Sequence, residues 1–189
     1  MKTVFILFSF IFVGLLSPVS LSFCQDTGID VDDGSIQGWA NGCDLARGYI
    51  QIDDTTITHE GSNKAIFGQS ADALGKADNR AVSLGDSGIA VLSFENTLRD
   101  DEGWDFAVFE NSFNGSFLEL AFVEVSSDGE KYVRFPAVSN IPVDKQISTF
   151  GETDGSLVHN LAGKHQGLHG TPFDLSELKD STGLDIQSV

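Results

Sequence analysis

The chain has 189 residues, enough for one domain whose core needs no disulfide staples. Its 11 Lys and Arg stand against 28 Asp and Glu, a formal net charge of -17. Such a surface repels nucleic acid and anionic lipid; its plain reading is solubility, and the alternative is calcium or a cationic partner.

The chain opens with Lys2 and an apolar run over residues 4–16, followed by Pro18, Ser20 and Ser22. This pattern predicts a secretory signal peptide over residues 1–22, too short for a membrane span and outside the fold. Cleavage after Cys24 is the alternative and leaves Gln25 first. With the earlier cut, Cys24 can pair with Cys43 in an oxidising compartment; with the later one, Cys43 is a lone thiol. Neither cysteine has a His or second Cys at zinc spacing. No other segment has membrane-spanning length.

Residues 25–47 read as an acidic, Gly- and Asp-rich leader. Asp30, Asp32 and Asp33 with Gly34 begin like a calcium loop, but the twelfth position is Asn41 where a Glu is required. The sandwich domain is expected over residues 48–189. Short strands are predicted over residues 49–52, 55–59, 81–84 and 89–94, with a tight turn at Gly85-Asp86-Ser87-Gly88. After the polar loop holding Asp100, Asp101 and Glu102, residues 105–109 read as a strand and residues 111–116 as a turn. Residues 117–126 are apolar on both faces, the mark of a central strand. A D-G turn at Asp128-Gly129 leads to a return strand over residues 132–135, ended by Pro136. Residues 138–170 are loop-like. Asp174 and Glu177 suggest the N-cap and capping box of one short C-terminal helix, and residues 184–189 look like the start of another strand. Many short strands and hardly any helix give an all-β antiparallel sandwich, jelly-roll or galactose-binding-like.

The series VSLGDSG…LSF, WDFAVFENSF, FLELAFVEVSSDGEKYVRFPA and NLAGKHQGLHGTPFDL resembles a family of secreted bacterial cell-surface proteins. The resemblance covers residues 48–189. Many members carry a C-terminal sorting signal of the gliding-bacteria or exosortase type. It implies a protein outside the cell, at the exterior of the outer membrane or in the periplasm. Some members lie beside outer-membrane receptor genes for corrinoid uptake, which implies small-molecule capture as one role. Chains of this kind continue with a further strand, a Gly-Phe-Asp-rich ending and the sorting signal. The expectation is therefore a domain incomplete at its C-terminus.

Calcium takes six to eight oxygen ligands. Glu110 and Asn111, where a strand gives way to a turn, are the first candidates, with Asp105, Asp86 and Asp128 at other strand ends and turns. Glu119 reads as a structural polar group held by Arg134, Lys164 or backbone amides, and the same reading stands as the alternative for Glu110. Glu119 and Glu124 fall on opposite faces of the predicted strand over residues 117–126. Glu110 and Glu119 could also form the carboxyl pair of a glycosidase, which needs two carboxyls a set distance apart across a cleft. Aromatics able to stack a sugar are Trp39, Trp104, Tyr49 and Tyr132. His159, His165 and His169 lack an HExxH or GxSxG context and read as loop histidines. The functional expectation is a secreted surface protein with a non-catalytic binding or adhesion role, stabilised by calcium, and no catalytic residues. Its partner would be a surface ligand, a glycan or a small molecule. The alternatives are a carbohydrate-binding module or carbohydrate-active enzyme, and a corrinoid-capture accessory.

Overall fold

The computed structural model describes residues 3–7, 28–110, 116–142 and 151–189. Among them the regular structure is β-strand, and the helical content is three 3-10 turns, Ser70–Ala73, Gly155–Leu157 and Leu175–Leu178. The expected C-terminal helix is the last of these. The Asp174 side chain does cap it, accepting from Ser176 N at 2.8 Å. Glu177, however, accepts from Asn160 Nδ2 at 2.5 Å, and Leu175 and Leu178 turn into the core. Four residues make too short a run to pass into an α-helix.

The largest sheet is built on β1 (Thr3–Leu7), β3 (Gly42–Ala46), β4 (Ile89–Ser93), β6 (Ala121–Ser126) and β10 (Leu161–Ala162), in the order β10-β6-β1-β4-β3. The short β7 (Val133–Arg134) pairs with β6 beside β10. A second sheet has β11 (His169–Phe173) between β2 (Ile29–Asp30) and β5 (Phe106–Val108). A third pairs β8 (Val138–Ser139) with β9 (Val158–His159). Every pairing is antiparallel.

β4, β5 and the hairpin β6–β7 fall where the hydrophobic pattern puts them. In that hairpin Asp128 Oδ1 accepts from Glu130 N and Lys131 N at 2.8 Å, and Gly129 takes φ 78°. Several expectations are corrected. The residues expected as leader supply β2 and β3. Residues 3–7, within the predicted signal peptide, pair as β1 between β4 and β6 in the large sheet. Residues 49–52 and 81–84 are not strands. The Arg47 guanidinium instead donates to the carbonyls of Phe67, Gly68 and Ser83 at 2.6–2.8 Å. Tyr49 makes only single bridges, to Lys64 and Asp86, and residues 55–59 contribute only the bridge His59–Ser62. The long strand predicted over residues 117–126 begins only at Ala121, opposite Ala162. The next partner residue, Gly163, turns away at φ 82°, so close that a Cβ there would lie 2.2 Å from Glu119 O. Glu119 therefore precedes β6 and does not share a strand with Glu124. Residues 138–170, expected as loop, hold β8, β9 and β10 and the first residues of β11. Residues 184–189 form no strand, yet Leu98 and Val189 exchange both backbone hydrogen bonds, at 2.9 and 3.1 Å. The turn expected over residues 111–116 lies, up to residue 115, outside the described residues.

One core joins the two larger sheets. Phe106 stacks on Phe173 at 5.3 Å, and Phe135 meets both rings edge-on at 5.8 and 5.0 Å. Val123, Val125, Leu175 and Val189 close around them. Truncating Phe173, which is 1 % exposed, to Ala should cost about 3–5 kcal/mol in urea unfolding. Phe67→Ala, at 65 % exposure, should change stability by less than about 0.5 kcal/mol.

Candidate metal centre

Antiparallel pairing of Phe106 with Phe173 places the preceding Asp105 beside the following Asp174. Asp105 N donates to Phe173 O at 2.9 Å, extending the ladder by one step. The loop before β5 is held by the C-terminal segment: Asp100 N donates to Ile186 O at 2.9 Å, and Gln187 Nε2 donates to Asp100 O at 3.0 Å. These ties bring one carboxylate oxygen each from Asp100, Asp105 and Asp174 within 4.8 Å of one another. Among the described residues this is the sole group of three His, Cys, Asp or Glu side chains so placed.

The three acids are half-buried and differently satisfied. Asp105 Oδ2 accepts from Leu175 N at 2.7 Å and its Oδ1 from Asp101 N at 2.9 Å. Asp174 Oδ1 accepts from Ser176 N. Asp100 Oδ1 is shut off from solvent with no hydrogen-bond partner. An orphaned, buried carboxylate oxygen is unfavourable unless something positive meets it. Burial is the main force pushing the Asp105 carboxyl above its ordinary value; the two amide bonds oppose it, and the charges of Asp174 and Asp100 add to it. Three hard oxygen donors with an unmet acceptor could hold a metal ion.

Asp105 is thus in the cluster, whereas Asp86 and Asp128 serve elsewhere. Asp86 Oδ2 accepts from Ile52 N at 2.9 Å, and burial raises its pKa. Asp128 is exposed, and its Oδ1 is committed to Ser126 Oγ, Glu130 N and Lys131 N, bonds that hold its pKa down. Asn111 lies outside the described residues. Asp30 and Asp33 brace turns through Asp32 N and Ser35 N, which agrees with reading that stretch as a turn and not a calcium loop.

Glu110 and Glu119 do meet, through a hydrogen bond between their side chains. Two carboxyls in that contact share one proton and sit closer than the roughly 5–9.5 Å that glycosidase pairs span. Crowding by protein raises the Glu119 pKa and the bond to Glu110 lowers it; the side chain is exposed, so water screens much of the first effect. Arg134 holds neither acid. Its Nε and an Nη donate to Glu124 Oε1 at 2.7 Å, and its guanidinium lies 4.2 Å from the Phe122 ring centre. Lys164 Nζ reaches Val158 O at 3.4 Å. Trp39 and Phe109 pair at 5.3 Å beside Glu110, in an open cleft of about 2400 Å³.

The histidines do not converge. His159 lies 3.8 Å from Glu177, and His169 lies 3.6 Å from Asp30. His165 packs over Gly28. Cys43 is a free thiol on β3, its pKa raised by burial and by Asp44; Cys24 lies outside the described residues. Among the described residues no helix is long and apolar enough to cross a membrane.

Asp100 and Asp174 are absent from the ligands expected from sequence. Asp174 reads there as a helix cap, and Asp100 as one of a solvated acidic run. Neither shows its partner, because Asp105 and the residue after Asp174 lie 70 positions apart.

The pH dependence follows from these shifts. Asp105 and Asp86 have folded pKa values raised above the unfolded ones, so their contribution is whole below about pH 3.9 and is lost as pH rises through the folded values. The lowered carboxyls, such as Asp128 and Asp154, act oppositely but only below about that pH. In chelator, urea midpoints should therefore fall between about pH 4.5 and pH 7. A rise over that interval would contradict the assignment. Compared with known families, curated proteins and solved structures, the chain matches none.

Proposed function

We propose that this chain is a secreted, non-catalytic binding domain of the bacterial cell surface, an antiparallel β-sandwich whose loops are pinned by calcium. The observation that carries the calcium part is the Asp100–Asp105–Asp174 cluster with its buried, unmet Oδ1. A cation there offsets the mutual repulsion of three carboxylates and ties β5, the turn after β11 and the 98–100 loop into one unit. The acidic composition and the resemblance to secreted surface proteins support the location. The direct bond between Glu110 and Glu119 favours binding over hydrolysis.

A carbohydrate ligand is a second reading, favoured by the Trp39–Phe109 pair in the open cleft. Stacking on such rings is how an apolar sugar face is recognised without charge.

Thermal melting with calcium and with chelator tests the first reading. Calcium at a hundredfold excess over Kd should stabilise by about 2.7 kcal/mol, which raises Tm by roughly 5–10 °C for a chain of this size. Asp100→Asn should abolish the calcium shift and leave the chelated protein as stable or more so, since it removes one of three like charges. Equal melting with and without calcium would sink the proposal. For the second reading, quenching or enhancement of Trp39 fluorescence by added glycans should vanish in Phe109→Ala.

A further inference from the structure

The centre of the large sheet is filled by residues that the sequence marks for removal. β1 pairs antiparallel with β4 on one side, Thr3 opposite Ser93 through Leu7 opposite Ile89. On its other side it pairs antiparallel with β6, Thr3 opposite Ser126 through Leu7 opposite Phe122. β4 and β6 therefore run parallel to each other, separated by one strand. Cleavage after Ser22 or Cys24 takes β1 away.

Its loss leaves a slot roughly 9–10 Å wide, two strand spacings, between two strands whose facing backbone groups have no partner. Strand edges left in this way are costly inside a sheet and act as a template for another strand. β4 and β6 are themselves anchored, β4 by β3 along all five of its residues and β6 by β10 and β7. Closing the gap would shift one of those ladders.

We propose that the mature protein uses this slot as a strand-acceptor site for an extended apolar segment of another polypeptide, bound antiparallel to both β4 and β6. This inference rests on the secretion reading above. The register defines the occupant. Its second and fourth positions, those of Val4 and Ile6, face the register of Ala90, Val123 and Val125, which are 4 %, 0 % and 0 % exposed; they must be apolar. Its third position stands opposite Val91 and Glu124, the acid held by Arg134, and so tolerates a polar or basic residue. Basic flanks suit a chain of net charge -17. A second copy is the weaker occupant. Its like charge repels, and the other five-residue strands of the described chain, β3, β4 and β11, are already paired. Main-chain pairing supplies affinity and the alternate side chains supply selectivity, as in strand addition generally.

The test uses the exported protein. Intact mass first shows whether residues 3–7 are gone. If they are retained, the secretion reading fails and the slot is filled in cis, which overturns the proposal. With them absent, the synthetic peptide KKTVFILKK is added and amide exchange followed at residues 89–93 and 122–126. The expected result is saturable protection, slowing exchange about tenfold or more at both strands, and none from KKTDFDLKK or KKTVPILKK. Protection of both strands without peptide overturns the proposal, in favour of a closed sheet in a monomer or of a second copy in an oligomer. No protection from KKTVFILKK, or equal protection from the Asp or Pro peptides, also overturns it.

Discussion

The stacking of Phe106 on Phe173 is the contact on which the acidic end of the molecule depends. Those two residues are register partners in β5 and β11, and their rings lie 5.3 Å apart and nearly parallel. An antiparallel pair fixed at that position has one consequence at its end: Asp105 and Asp174 must be neighbours. The core contact thus sets two carboxylates side by side, and burial of the rings helps offset their repulsion. The third acid arrives by a different route, through the backbone bonds that seat residues 98–100 against residues 186–189. A cation at this junction would join three segments of the chain.

The same economy of contacts explains the polar residues outside the cluster. Asp128 builds a hairpin, Asp86 holds a loop amide, Glu124 is neutralised across β6 and β7 by Arg134. Each carboxylate has donors nearby. Asp100 Oδ1 is different because it is buried without one. Glu110 Oε2 is buried in the same way, but among the described residues only Asp100 Oδ1 belongs to a group of three acids, and that conjunction distinguishes a candidate ligand set from a solvated surface.

Much of the strand content was legible from alternation and turn chemistry. The turn residues Asp128 and Gly129 and the apolar runs of β4 and β5 are local signals, and each formed where it pointed. Asp105 was legible as a candidate because an acid at the edge of an apolar run is unusual. The remainder was not, for reasons of pairing. Residues 81–84 have strand-like composition, but Arg47 takes the Ser83 carbonyl and those of Phe67 and Gly68 across from it; residues 49–52 form only the single bridges of Tyr49. The β6 ladder with β10 stops at Ala121, where the chain after Ala162 takes φ 82° at Gly163. Residues 3–7 carry the apolar pattern of an export signal, and the same pattern suits a strand in a sheet. Asp100 and Asp174 gave no sign because their meeting is set by register across a long stretch of chain.

The central claim is that Asp100, Asp105 and Asp174 hold one divalent cation. Trp104 precedes Asp105 directly, so terbium, a luminescent stand-in for calcium, would be bound within reach of an indole antenna. The expected result is saturable terbium emission excited through tryptophan, displaced by calcium and lost in Asp100→Asn while the variant stays folded. Emission that is absent, or that persists unchanged in Asp100→Asn, would contradict it.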